Sequence, residues 1–545
     1  MFIILEKFLY HESVFPEKLF LHQAMGETAH TWTWKQAGDQ ARSMVTALRS
    51  MGLQQGDKVA ILSKNCAEWI IADIAIMMGG FVSVPLYANI TAPTIRMLLE
   101  HSECKAIFVG KLDNYLDQAP GLMPEVPAIY FGAYGHKGSL IFENLVSNND
   151  PAKQIANVGE DELVTLLYTS GTTGKPKGVM HSAGNFRATM DAVNKRVPVP
   201  ANPRIFSYLP LSHVAERLGV EFLVLTYGGT LYFAHTLESF AKDLSAVQPD
   251  LFFAVPRIWA KFKEKINEKM PDAKLARLLK IPLLNFIIRK KIKKALGLSK
   301  ASLIYSAAAP LSVDLINWFR QLHVNILQAY GMTEDCVYCH YCVPAEDRVG
   351  SVGKPLPGLQ TRISDEGEVQ VKSPALMMGY YKEPGMSAEM FTEDGFLKTG
   401  DKGKYDQEGF LFITGRVKDQ FKTDKGKYIS PSPIEMRLMD DVLIEQACVV
   451  GMGIPQPIGL IVLAENAKGG NKAELESSLD VLRNQINIQL EPHEKMEKLV
   501  VIPQAWTVEN GLMTPTLKIK RNEVEHIYES NYKDWFHHKD KVIWV

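Results

Sequence analysis

Apolar and polar positions along the chain follow two periods. In AGDQARSMVTALRSMGL (37–53) apolar residues return every three or four positions, which predicts an amphipathic helix. DKVAIL (57–62), KAIFVG (105–110) and GGTLYFA (228–234) are short β-rich runs that predict strands, and ELVTLL (162–167) predicts a buried one. Alternation of this kind predicts an α/β protein with largely parallel sheets. WIIADIAIMMGGFVSVPLYANI (69–90) is apolar enough to suggest a membrane span, but Asp73, the Gly79-Gly80 break and Pro85 predict a buried helix, a turn and a strand instead. The polar stretches 147–161 and 465–475 predict surface connections, and no internal repeat or low-complexity tract is present.

Near residue 414 the texture changes. GFLFITGRVKDQFKTDKGKYISPSPIE (409–435) passes from a strand pattern into a lysine-rich span, and a smaller α+β pattern follows. A chain of 545 residues is too long for one core. The expected division is a large N-terminal domain over 1–414, a hinge over 415–420 and a small mobile C-terminal domain over 421–545.

Composition narrows the class. With 46% hydrophobic and 22% charged residues the chain reads as a soluble globular protein. Lys+Arg 60 against Asp+Glu 61 gives no basic field, so nucleic acid is not an expected partner. Residues 261–300 nevertheless hold 13 Lys/Arg and 3 Asp/Glu. Their centre, IPLLNFIIRKKIKKALGL (281–298), sets Leu283, Leu284, Phe286, Ile287, Ile288, Ile292 and Leu296 beside five basic residues. Three readings stay open: a peripheral membrane contact, a helix packed on the core with solvated lysines, or a face for coenzyme A phosphates. The start, MFIILEKFLYHES, is too short in apolar residues for a signal peptide. Six cysteines in a chain this long predict a reducing compartment without disulfides, hence a cytoplasmic location. Cys336, Cys339 and Cys342 form CxxCxxC around His340, a pattern that evokes zinc or iron–sulfur. No fourth cysteine follows at the required distance. Strand alternation would also turn Cys339 away from Cys336, so reduced structural cysteines are expected.

The densest chemistry lies in YTSGTTGKPKGV (168–179), where Thr169, Ser170, Thr172 and Thr173 join three glycines, Lys175 and Lys177. A glycine-rich turn with clustered lysines after a strand is a physical recipe for holding phosphate. The Walker A spacing fails, because Thr169 stands five before Gly174 and Pro176 follows Lys175; the dinucleotide spacing fails as well. Pro176 fixes φ and suits a loop that holds its two lysines apart.

YTSGTTGKPKG resembles the signature loop of the adenylate-forming (ANL) superfamily. LPLSHVAER (209–217), SAAAPLS (306–312), QAYGMTE (328–334), GSVGKPLPG (350–358), LKTGD (397–401), GRVKD (415–419) and NGLMTPTLKIKR (510–521) follow in that superfamily's order. Within it, PLSHVAER, GKYISPSPIE and GLMTPTLKIKR are most similar to long-chain fatty acyl-CoA synthetases, and the resemblance runs from about residue 30 to 525.

The resemblance implies that a carboxylate attacks the α-phosphate of ATP, releasing pyrophosphate, and that the thiol of coenzyme A then displaces AMP. Thr169, Ser170, Gly171, Thr172, Thr173, Gly174, Lys175 and Lys177 would hold the β- and γ-phosphates. Glu334 would ligate Mg²⁺, with Thr172 as a second ligand and Thr333 on the α-phosphate. Tyr330, followed by Gly331, would stack on adenine, and Asp401 would accept the ribose hydroxyls with Arg416 assisting. Lys518, with Lys520 as the neighbouring alternative, would meet the acyl carboxylate and bridging phosphate oxygens. The resemblance makes Lys418 the hinge, turns Gly426 toward the pantetheine channel and sets His213 beside the acyl carboxylate. A helix-capping or core histidine is the other reading of His213.

Two departures stand out. PTLK replaces the Ser-Gly that commonly precedes the lysine, and the SAAAPLS stretch carries alanines where the superfamily is glycine-rich, which leaves acyl chain length and shape open. A fatty acyl-AMP ligase loading a carrier protein and a non-catalytic nucleotide- or acyl-binding relative are the alternatives.

Overall fold

The computed structural model describes residues 1–545 apart from 27, 171–175, 237, 466, 509, 515–517 and the side chain of Ser170. Two large sheets build the N-terminal part. One runs in the order Gly379–Tyr380, Pro176–Ser182, Leu163–Ser170, Val82–Leu86, Lys58–Leu62, Ala106–Val109, Ala128–Tyr130, Leu140–Ile141. It is parallel from Leu163–Ser170 outward to Leu140–Ile141, and antiparallel where Leu163–Ser170 turns into Pro176–Ser182. The second has nine strands, with a parallel centre from Leu19–Met25 to Leu327–Tyr330 and antiparallel strands at both edges. An antiparallel four-stranded sheet follows, ending in Leu397–Tyr405 and Leu411–Arg416. The C-terminal part has its own sheet, Ile444–Val450, Ile458–Leu463, Lys498–Val501 and Val542–Trp544.

The expected elements form where their periods place them. Trp34–Ser50 is a helix begun by a capping box, Thr33 bonding the Gln36 N–H while the Gln36 side chain returns to Thr33. The membrane-like segment becomes helix Ala67–Gly79, buried along its whole length, then strand Val82–Leu86. It lies in a core cluster shared with both large sheets, Val59 and Ile61 from one and Leu21 and Leu231 from the other. Among the described residues no helix is long and apolar enough to cross a membrane. The 465–475 stretch is a connection only in its first half, because Asn471 caps a helix over Lys472–Ile488.

The cysteine cluster departs from the alternation expected of it. Residues 335–338 form a turn rather than a strand, with Cys336 and Val337 at φ 53° and 56°, so alternation does not govern them. Cys336, Cys339 and Cys342 are all buried and free, and burial pushes the Cys336 thiol up.

A buried charge cluster ties the sheets to the PLSHVAER segment. Arg217 donates to Asp73 at 2.6 and 2.9 Å and to Thr165 at 2.7 Å, while Ser83 donates to Asp73 at 2.5 Å. Burial drives the Glu221 carboxyl well above its usual range, so Arg217 and Asp73 form the charged pair and Glu221 stays neutral. Arg217→Met will leave Asp73 uncompensated. The expected loss is about 3–5 kcal/mol of stability, read as a fall in denaturant midpoint.

Candidate active site

The site gathers at the ends of strands from several sheets. Tyr330 ends strand Leu327–Tyr330, and the chain then turns sharply through Gly331, whose missing side chain lets Val337 Cα come within 2.8 Å of where a Cβ would stand. That turn presents Thr333 and Glu334. Asp401 and Arg416 are cross-strand neighbours in the antiparallel sheet, which explains how the separated TGD and GRVKD motifs converge. Arg416 Nε lies 2.9 Å from Asp401 Oδ1, and the Tyr330 hydroxyl donates to Asp401 Oδ2 at 2.8 Å. Burial raises the Asp401 carboxyl despite Arg416 and Tyr330.

Lys518 comes from the C-terminal part. Its backbone N–H donates to Thr514 Oγ1 at 3.1 Å, and its carbonyl accepts from the Thr514 N–H at 2.8 Å. The residue is exposed, yet protein around its ammonium lowers the pKa. Desolvation is the main cause and Arg416 adds to it, while Asp401 and Glu334 oppose it. Its charge also reaches His213. Burial and Lys518 together hold that imidazole down to about 4. His213 Nδ1 accepts the Ala215 N–H at 3.2 Å, so the capping reading of this residue is correct and the neutral ring carries its proton on Nε2. The cap uses Nδ1 alone and does not engage Nε2.

The two ends of the phosphate segment pair as antiparallel strands, with Thr169 opposite Lys177 and Ser170 opposite Pro176. Gly171, Thr172, Thr173, Gly174, Lys175 and the side chain of Ser170 lie outside the described residues. Lys177 sits 5.1 Å above the Tyr380 ring. Two predicted residues stand apart from this cluster. Lys418 lies between strands Leu411–Arg416 and Phe421–Lys422, and Gly426 turns a two-stranded hairpin at φ 75°. Lys520 lies at the start of helix Arg521–Tyr528. Ala308 of the SAAAPLS stretch takes φ 71°, the conformation that glycine would hold without strain.

Sequence reasoning missed the second row of side chains. The Tyr380 hydroxyl donates to Glu334 Oε1 at 2.8 Å, and the Met377 N–H bonds the Glu334 carbonyl at 2.8 Å. His181, fully buried and held down to about 4 by burial, bonds the Thr333 carbonyl at 2.7 Å through Nε2. Asn185 donates to the Pro374 and Leu376 carbonyls, each at 3.1 Å. Tyr380 and His181 sit on adjacent antiparallel strands, so one edge of the sheet carries the strand that follows the glycine-rich segment and braces the Glu334 turn. A GYY triplet and a lone histidine after GKPKGVM are the only sequence traces of this arrangement.

The donor set fits Mg²⁺. Among the described residues no three His, Cys, Asp or Glu side chains are grouped to hold a metal alone. Glu334 supplies one hard carboxylate, its second oxygen not taken by Tyr380, and Mg²⁺ characteristically uses one or two carboxylates with substrate phosphates and water. The neighbouring Asp335 is not available. It is fully buried, accepts the Met332 N–H at 2.9 Å and is raised to about 7, chiefly by burial. Tyr380→Phe keeps the ring beneath Lys177 and removes only the bond to Glu334. It will raise the Mg²⁺ concentration needed for half-maximal pyrophosphate exchange by about tenfold, as a metal titration will show.

Tyr330, Asp401 and Arg416 bonded together beside the Glu334 turn, with the strands that flank the glycine-rich segment braced against that turn, are the setting of an adenylate-forming enzyme. The chain belongs to the AMP-binding enzyme family: the family's model matches residues 10–381, and that of its C-terminal domain matches residues 418–540. It is 28% identical to long-chain-fatty-acid–CoA ligase FadD15 of Mycobacterium tuberculosis over 96% of this chain and 95% of that protein. It is 28% identical to long-chain-fatty-acid–CoA ligase ACSBG2 of Xenopus laevis over 97% and 83%. Its fold matches the A domain of carboxylic acid reductase from Segniliparus rugosus with a TM-score of 0.80 at 20% identity, covering 97% of this chain and 93% of that one. The o-succinylbenzoate CoA synthetase of Bacillus subtilis matches with a TM-score of 0.75 at 22% identity, covering 95% and 97%.

Proposed function

We propose that the protein activates a long-chain fatty acid with ATP to an acyl-adenylate and transfers the acyl group to coenzyme A, releasing AMP and pyrophosphate. The observation that carries this reading is the Tyr330–Asp401–Arg416 group, in which Tyr330 donates to Asp401 at 2.8 Å and Arg416 lies 2.9 Å from it, with Tyr330 leading directly into the turn that presents Thr333 and Glu334. Adenylation brings a carboxylate anion to a phosphate anion, so cations and donors already in place lower its barrier most. Lys518 and the Nε2–H of His213 would receive the acyl carboxylate, and Lys518 would also meet the bridging phosphate oxygen. Asp401 would hold the ribose hydroxyls. Each of its oxygens can accept a further hydrogen bond beside Tyr330 or Arg416. Tyr330 would stack on adenine, Thr333 would contact the α-phosphate, and Thr169, Ser170, Gly171, Thr172, Thr173, Gly174, Lys175 and Lys177 would cradle the outer phosphates. Mg²⁺ held by Glu334 and Thr172 would supply charge neutralisation for the phosphates.

The second half-reaction needs the cleft to open for a thiol. We place the domains at 1–414 and 421–545 with the hinge over 415–420, Lys418 as its pivot and Gly426 along the pantetheine path. The names of the related ligases favour coenzyme A over a carrier protein as acceptor. Six free, buried cysteines support a reducing, cytoplasmic setting. A pyrophosphate-release assay across carboxylic acids, with and without coenzyme A, tests the whole reading. Turnover should need a long-chain acid and be sustained only when coenzyme A is present. Sustained turnover on a short aromatic acid alone would overturn the substrate. Adenylate that accumulates whether or not coenzyme A is added would overturn the acceptor.

A further inference from the structure

Between helices Asp272–Leu279 and Leu284–Ala295 the chain makes an unusual turn. Leu283 sits at φ 66° and ψ −46°, and the Leu284 N–H bonds the Pro282 carbonyl at 2.8 Å. This is a γ-turn of the rare, strained hand, in a region of backbone space that L side chains avoid. The side chain it displays is 82% exposed, beside Phe286 at 67%, Ile287 at 59% and Ile281 at 47%. Single exposed apolar residues are ordinary, but four within seven positions around a strained turn form a patch that wants a partner.

The same helix shows what that partner is. Leu284, Ile288, Ile292 and Leu296 pack inward on the domain core, so only Leu283, Phe286 and Ile287 of the seven apolar positions read from the sequence face outward. The outward stripe continues as Lys290, Lys291 and Lys294 at helical spacing, all exposed, with Lys274, Arg277 and Lys280 exposed on the preceding segment. Among the described residues none of these six pairs with a carboxylate; the nearest ion pairs along the chain belong to Arg257 and Arg320. Arg289 is engaged instead, donating to the Gln321 carbonyl at 2.8 Å.

We infer that residues 281–294 dock the protein on an anionic lipid surface, Leu283, Phe286 and Ile287 entering the acyl boundary while the lysines meet lipid phosphates. A second copy of this chain fits poorly, because a two-fold contact would set these basic stripes against each other. That the surface would collect a bilayer-dissolved fatty acid rests on the proposed function; the docking itself does not.

Co-sedimentation of the full chain with phosphatidylcholine vesicles, with and without phosphatidylglycerol, tests it. Binding should require phosphatidylglycerol and fall as salt is raised. Replacing Leu283, Phe286 and Ile287 together with Ser should weaken partitioning at least about tenfold. Lys290→Gln, Lys291→Gln and Lys294→Gln together should weaken it on the order of 10²-fold. Melting curves for both variants should match the parent, since none of the six side chains is in the core. Three results would overturn the inference: protein left in the supernatant with anionic vesicles at low salt, binding that neither variant changes, or self-association without vesicles that the Ser variant abolishes. Release from vesicles by free coenzyme A at low salt would also count against it, marking the lysines as a site for soluble phosphates. Vesicle binding by a chain that activates no carboxylic acid would end the proposed function and leave the docking surface standing.

Discussion

Lys518→Ala will slow acyl-adenylate formation by about 10²–10³-fold while thioester formation from supplied acyl-adenylate proceeds near its original rate. In the present arrangement of domains the lysine lies within electrostatic reach of Arg416, Asp401 and Glu334, and the proposed function has the carboxylate and the α-phosphate meet there. A preorganised cation is worth most where negative charge gathers, and the second half-reaction has lost the pyrophosphate charge. The pH dependence carries its own sign. The folded environment lowers the Lys518 pKa from the lysine range, with desolvation first and Arg416 second. The active form is the protonated one, so adenylation falls as pH rises through that lowered value. Lys518→Arg, which holds its proton, should extend the alkaline limb even if its peak rate is lower. Single-turnover assays of the two half-reactions decide the matter, and equal loss in both would point to misfolding or to another lysine.

Lys418→Pro will show the opposite split, with adenylation near normal and thioester formation reduced by about tenfold or more. Proline locks φ near −65°, and a pivot residue must change φ or ψ for the C-terminal part to swing. The present arrangement is held by contacts across the two parts. Ser312 bonds Asp440, Arg257 pairs with Glu445, and Gln420 links Lys402 at 2.8 Å to Ser430 at 2.6 Å. All of these are side-chain contacts near the surface, of the kind that break at modest cost. Normal rates in both steps would place the pivot elsewhere or dispense with rotation.

Much of this is legible in the chain alone. The order of the motifs, the period of Trp34–Ser50 and the β-rich runs all follow from neighbouring residues. The Glu334 and Asp401 assignments rest on local strings that the fold links through the bond from Tyr330 to Asp401. What is hidden lies far apart in sequence. Tyr380 reaches Glu334 across 46 positions and His181 reaches Thr333 across 152, with no local pattern to announce either. The cysteine turn misleads for the reverse reason. A β-like string from Asp335 to Cys342 is bent into a turn by its tertiary position, Cys336 and Val337 taking left-handed φ values.

The basic segment divides the two kinds of information most plainly. Sequence alone determined that an amphipathic, lysine-rich helix would form within 281–298, because apolar spacing and charge are properties of adjacent residues. It also determined that hydroxyls, glycines and lysines would lie side by side in 168–179, since their spacing is a property of adjacent residues. Only the tertiary structure decided which apolar side chains of that helix the core would claim, and that a γ-turn would turn Leu283 outward. It also decided that Asp401 and Arg416, from separate motifs, would stand opposite each other on paired strands. Burial and charge pairing depend on what packs from distant parts of the chain, and no local spacing encodes that.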